Sequence, residues 1–165
     1  MSTRGTYQIT MQYTEKDRKI LTHRDIDVCI YSQNDNYPSG AVEKFKNTLK
    51  LQKELKEQLN NTDFIECFIA ANIREFGYME ITGSHYDTAY AYDTAYAYDI
   101  LISDDIYLKC YKYLLWGYTL TSTAGTRLSG GTITSTGTIK RNKELYYDGL
   151  LMEFINNTAI DLLDK

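Results

Sequence analysis

The chain has 165 residues, 43% hydrophobic and 13% aromatic, which suits one globular domain with a real core. Its formal charge is −4 and no run of Lys or Arg forms a phosphate-backbone track. That excludes general nucleic-acid binding and leaves a small anionic ligand open.

Thr6–Tyr13 alternates, with Tyr7, Ile9, Met11 and Tyr13 on one face, and reads as a strand. Thr14–Lys19 is polar and reads as a turn. Ile26–Tyr31 is a second strand that can form a hairpin with the first. Ser32–Gly40 holds the one proline, Pro38, and is dense in turn formers. A helix is expected from about Ala41 to Leu59, with Val42, Phe45, Leu49, Leu55 and Leu59 on its stripe and Ser39 or Gly40 as N-cap. Lys50, Lys53 and Lys56, interleaved with Glu54 and Glu57, make its solvated face. Asn60-Asn61 ends it. Asp63 and Glu66 then resemble a capping box for a second helix carrying Phe64, Ile65, Phe68, Ile69, Ile73 and Phe76, with Gly77 as C-terminal cap. Met79–Thr82 is a short strand.

Next comes a tandem duplication, Asp87–Tyr92 followed by Asp93–Tyr98. Six is an even number, so in an extended chain the second copy keeps every later residue on its original face. Tyr86, Tyr90, Tyr92, Tyr96 and Tyr98 share one parity, and the alanines and aspartates share the other. A strand covering all of Tyr86–Ile102 would exceed ordinary strand lengths. The core strand is therefore expected at about Tyr96–Ile102, followed by a turn at Asp104-Asp105 and a returning strand, Ile106–Leu115. Residues 117–141, rich in Thr, Ser and Gly, read as a surface loop or as a small hairpin or flap around Thr132–Ile139. A closing helix is expected over Glu144–Leu163, with Leu150, Leu151, Phe154, Ile155 and Leu162 inward. The whole of 1–165 thus reads as a single domain, a mostly antiparallel sheet with two to three helices packed mainly on one face.

Three cysteines, Cys29, Cys67 and Cys110, form no CxxC pair and sit among apolar residues. Free buried thiols and a reducing, cytoplasmic setting are expected. No apolar run approaches the length of a membrane span, so no membrane partner is expected.

The loop Asn34, Asp35, Asn36, Tyr37, Ser39, Gly40 is the best site candidate. It leads into a helix N-terminus, where unsatisfied N–H groups and the helix dipole favour anions. Arg4 could add a charge-assisted bond, and Tyr37 could stack on a base. The plainer alternative is a fixed turn, with Asp35 capping backbone N–H groups and Arg4 paired to Asp35. Tyr90, Tyr92, Tyr96 and Tyr98 form a second candidate, an aromatic ligand surface or oligomer interface, against the alternative of sheet packing. The oxygens of Asp25, Asp27, Asn34 and Asp35 match no calcium loop, and His23 and His85 belong to no zinc motif. No metal, cofactor or catalytic residue is assigned. Ser2 could serve as an N-terminal nucleophile only if Met1 were removed, and Asp104-Asp105, an imaginable acid/base pair, reads more simply as a solvated turn.

Three stretches together resemble a family of short, uncharacterised proteins common in phages and bacteria. They are Met1-Ser-Thr-Arg-Gly5, Asp35-Asn-Tyr-Pro-Ser-Gly40 and Tyr96-Ala-Tyr-Asp-Ile100, with Leu108-Lys-Cys-Tyr111 similar to that family's returning strand. The resemblance covers about Met1 to Tyr113 and implies an α+β fold. Asn36 stands where the family has Gly, and Asn is the next-best residue for a left-handed backbone. The family supplies no established activity, so no catalytic residue is carried over.

The expected function is a non-enzymatic binding protein, phage-encoded, that captures a small anionic, nucleotide-like host molecule such as an immune signal. The alternative is a protein-interaction module that inhibits a host protein, either of them as a homo-oligomer. A small hydrolase using His23, His85 or Asp35 comes third.

Overall fold

Alternation and helical spacing translate into three helices laid against a six-stranded sheet. A computed structural model describes residues 3–12, 26–58, 64–82, 94–122 and 137–157. In chain order the elements are β1 (Gly5–Met11), β2 (Ile26–Ser32), α1 (Pro38–Gln58), α2 (Phe64–Phe76), β3 (Met79–Thr82), β4 (Tyr96–Ile102), β5 (Ile106–Ser122), β6 (Gly137–Leu150) and α3 (Leu151–Asn156). The strand order is β3-β2-β1-β4-β5-β6.

Every neighbouring pair is antiparallel except the central one, β1 with β4. The reason is topological. The chain leaves the β1–β2 hairpin, runs through α1 and α2, and adds β3 outside β2. β4 then lies on the other flank of β1 and runs in β1's own direction. In this register Tyr7 lies level with Tyr98 and Ile9 with Ile100. The rings of Tyr7 and Tyr98 stack, with centroids 4.8 Å apart and planes 12° from parallel. Phe45 of α1 meets both edge-on, a favoured aromatic arrangement. Ile30, Phe64, Phe68, Leu108, Leu151 and Phe154 complete the core. Each fully buried large side chain contributes about 1.5–3 kcal/mol through removal from water.

Several expectations hold. Both early strands, both long helices, β3 and β4 lie where the periodicity places them. Gly77 follows α2 at φ 78°, the left-handed C-terminal cap. Cys29, Cys67 and Cys110 are free and buried. No helix among the described residues is long and apolar enough to cross a membrane.

Other expectations are corrected. α1 begins at Pro38, not Ala41. The Ala41 N–H donates to the Tyr37 carbonyl at 2.8 Å, so Tyr37 takes the capping position in place of Ser39 or Gly40. Proline is at ease there, because its missing N–H would be unpaired in the first turn anyway. On α2, Ile73 is exposed and its neighbour Asn72 is fully buried, so the buried stripe is rotated from the purely apolar one.

The largest correction is at the C-terminal end. Residues 144–150 are not helical; they belong to β6, and α3 is only six residues long. Pairing with β5 decides this, from Tyr107 opposite Leu150 to Ser122 opposite Gly137. Adjacent Tyr146 and Tyr147 favour a strand, and one irregularity in the ladder accommodates them. Within 117–141, the stretch read as a loop or a hairpin, residues 118–122 and 137–141 pair as antiparallel strands. Asp63, Leu162 and the Asp87–Tyr92 copy lie outside the described residues.

Candidate functional site

The segment 33–37 joins β2 to α1 and is held from three sides. Asn36 is 0% exposed. Its amide nitrogen faces the carbonyls of Thr3 (2.7 Å), Ser32 (2.9 Å) and Asn34 (2.9 Å). Its amide oxygen accepts from the Tyr7 hydroxyl at 2.8 Å. Its backbone carbonyl accepts from the Tyr98 hydroxyl at 2.8 Å, and its N–H donates to Thr3 O at 3.2 Å. One residue thereby ties the loop to β1 and to the segment ahead of β1 through its side chain, and to β4 through its backbone carbonyl. Asn36 does not take the left-handed backbone expected of it; Asp35 does, at φ 50°.

Close approach explains two glycines. A Cβ on Gly40 would lie 2.2 Å from the Asp35 carbonyl oxygen, and one on Gly5 would lie 2.6 Å from Asn36 Cβ. Neither position has room for a larger residue without backbone movement.

Beneath the loop lies Lys44 of α1, which is 0% exposed. Its Nζ donates to Asn34 O at 2.9 Å and to Asp35 O at 2.6 Å, and it sits 4.1 Å from the centre of the Phe76 ring. Burial pushes the amine down to about 7, against the pull of the Asp35 and Glu75 carboxylates toward the ammonium. Asn72 secures the helix behind it. Its Nδ2 donates to Lys44 O (3.1 Å), Thr48 Oγ1 (3.1 Å) and Phe68 O (2.8 Å). Lys44 and Asn72 were not singled out in the sequence. Their signal was spacing: Lys44 follows Ala41 by three residues, and Asn72 stands four from both Phe68 and Phe76. A polar residue at a core position announces a buried network, but spacing alone cannot name its partners.

The structure gathers most of the predicted loop residues. Asp35 is exposed, while Asn34, Tyr37, Ser39 and Gly40 are half-buried at the entrance to α1. The Tyr37 ring lies 5.8 Å from that of Tyr96. No acidic residue occupies the first turn of α1, and Asp35 lies against it from the loop. Arg4 is half-buried, and its carbonyl accepts from Ala95 N–H at 2.8 Å. Its charge acts on the Tyr31 phenol, opposing the rise that burial causes there.

Of the second candidate only Tyr96 and Tyr98 are described, and they follow the sheet-packing alternative. Tyr96 and Tyr98 are 3% and 0% exposed and face the helices, so they are core and not an accessible surface. Their parity was legible, but which face the helices cover was not. Tyr90 and Tyr92 lie outside the described residues, as do His23, Asp25 and His85. Among the described residues, no group of three or more His, Cys, Asp or Glu is placed to hold a metal ion.

Chemically, the site is a helix N-terminus beside the half-buried Tyr37 ring, on a loop held by the hydrogen bonds of Asn36 and Lys44. The Lys44 amine is enclosed by carbonyls and a ring and cannot reach an external electrophile without movement. Compared with family models, with curated proteins and with solved structures, the chain matches none.

Proposed function

We propose that this is a cytoplasmic, phage-encoded binding protein that captures a small anionic, nucleotide-like host molecule at the Asn34–Gly40 loop without turning it over. One observation carries the reading. The first turn of α1 has no acidic side chain and follows a loop already ordered by Asn36 and Lys44. A preorganised anion site loses little entropy on binding. Tyr37 offers a stacking edge and Arg4 a guanidinium for a phosphate. The phage origin rests on the family resemblance alone, and the nucleotide-like class on the helix N-terminus, Arg4 and the tyrosines.

The test is native mass spectrometry of the protein with a panel of mono-, di- and cyclic nucleotides, followed by a nucleotide-rich lysate from defence-activated cells. A stoichiometric adduct, released unchanged on denaturation, is expected. Arg4→Ala and Tyr37→Ala should each lose it while keeping the wild-type thermal transition. Unchanged binding in both variants would remove this site, and a ligand released in altered form would make the protein an enzyme.

A second reading, a protein-interaction module able to self-associate, is favoured by a different observation. β3 ends the sheet, and Ile81 on it is 63% exposed, with Tyr78 and Ile73 also exposed nearby in the chain. Exposed apolar residues on an edge strand are a common pairing surface. This reading predicts a stable protein complex or oligomer in the same spectra, with no small-molecule adduct.

A further inference from the structure

Lys44 is fully buried, and both of its hydrogen-bond acceptors are neutral carbonyls and not carboxylates. Two carbonyls, Asn34 O and Asp35 O, accept its hydrogens. A neutral amine has two hydrogens and is satisfied by them. An ammonium has three, and the third is left with the Phe76 ring in place of water. Burying a charge with incomplete hydrogen bonding is costly, and turning it out to solvent relieves that cost. The two carbonyls belong to the loop itself, next to Asp35 with its left-handed backbone. The amine can leave only if that loop moves.

We propose that Lys44 makes the Asn34–Asn36 loop a proton-linked latch, closed over the neutral amine and released when the amine takes a proton and turns out to water.

The charged and titratable groups around it are few. Asp35 from the loop and Glu75 from the last turn of α2 both favour the ammonium. On α1 itself, Glu43 and Lys46 pair with each other at the surface at 2.9 Å. From the sheet, the Tyr7 phenol reaches the loop through Asn36, and burial raises it well above its ordinary value, so it stays neutral. The sign follows from linkage. The closed amine titrates at about 7 and a solvated lysine at about 10.4, so the open form binds the proton more tightly between those values. Lowering the pH through that window opens the loop, and below it the effect levels off. For ligand capture the consequence, weaker binding toward neutral pH, rests on the function proposed above. The latch itself does not, and its test contains no ligand.

The experiment is amide hydrogen exchange by NMR on the full chain, from about pH 6 to about pH 9, with protection corrected for the intrinsic rate. The reporter is the Asn36 N–H, whose peptide carries the Asp35 carbonyl that Lys44 holds. Its protection should rise at least about tenfold across the range, with a limiting slope of about tenfold per pH unit for one linked proton. It should also be lower than that of Ile9 and Tyr98 in the central strands, which report global opening. Lys44→Arg stays charged throughout and Lys44→Met has no proton to gain, so the rise should vanish in whichever of them folds. Equal Asn36 protection at both ends of the range would overturn the latch. So would exchange in step with Ile9 and Tyr98 at every pH, or a rise that survives in the variants.

Discussion

At the scale of single residues, polar groups and not apolar ones make the loop specific. Asn36 fills a position where each amide atom has a partner, and Tyr7 combines a stacked core ring with a hydroxyl aimed at that amide. Tyr7→Phe keeps the ring and removes only the donor. It leaves the Asn36 amide oxygen buried without that bond, at an expected loss of about 1–3 kcal/mol in urea unfolding. An unchanged midpoint would show that the amide finds another donor. The sequence placed Asn36 in the right loop and in the wrong environment. Composition marks a turn, whereas burial of a turn residue depends on segments distant in the chain, here Thr3, Tyr7 and Tyr98.

At the scale of elements, the duplicated segment gives a direct test of parity. β4 begins at Tyr96, inside the second copy, and its ladder with β1 starts there, at Gly5 opposite Tyr96. Removing Asp87–Tyr92 takes out six residues and leaves Asp93–Tyr98 to feed β4 with the same faces. Stability is expected to change by less than about 1 kcal/mol, a shift in Tm of at most about 2–4 °C for a chain of this size. Loss of a cooperative transition would mean that the first copy is required for folding. Periodicity located β4 well because its alternation is long and regular. It misplaced 144–150 because Leu150, Leu151, Phe154 and Ile155 satisfy a helical spacing that was extended back to Glu144, and only pairing with β5, where Tyr107 lies opposite Leu150, 43 residues further on, favours the strand.

For the whole molecule, the buried titratable groups set the pH profile of stability. Unfolded, Lys44 holds its proton up to about 10.4, while folded it releases it at about 7. The unfolded state therefore binds more protons in that window, and stability rises with pH by at most about 1.4 kcal/mol per unit. Beyond about pH 10 the sign reverses. Tyr7 and Tyr98 are buried and titrate well above their ordinary value, so the folded state then holds more protons and stability falls. Urea midpoints measured across the range should show a maximum near pH 10, and Lys44→Met should flatten the ascending side. A profile flat from pH 7 to 10 in the wild type would show that the folded amine titrates like an exposed one.

The sequence by itself determined the class of fold, the order of elements from β1 to β5, the loop ahead of α1 and the free state of its cysteines. These follow from alternation, helical spacing and turn chemistry, all read over a few residues. Tertiary structure alone decided that β1 and β4 run parallel, that β6 replaces a helix, that Tyr96 and Tyr98 face inward, and that Lys44, Asn36 and Asn72 are buried together. Each of those outcomes is a contact between segments far apart in the chain. Its free energy comes from pairing and desolvation that no local window contains.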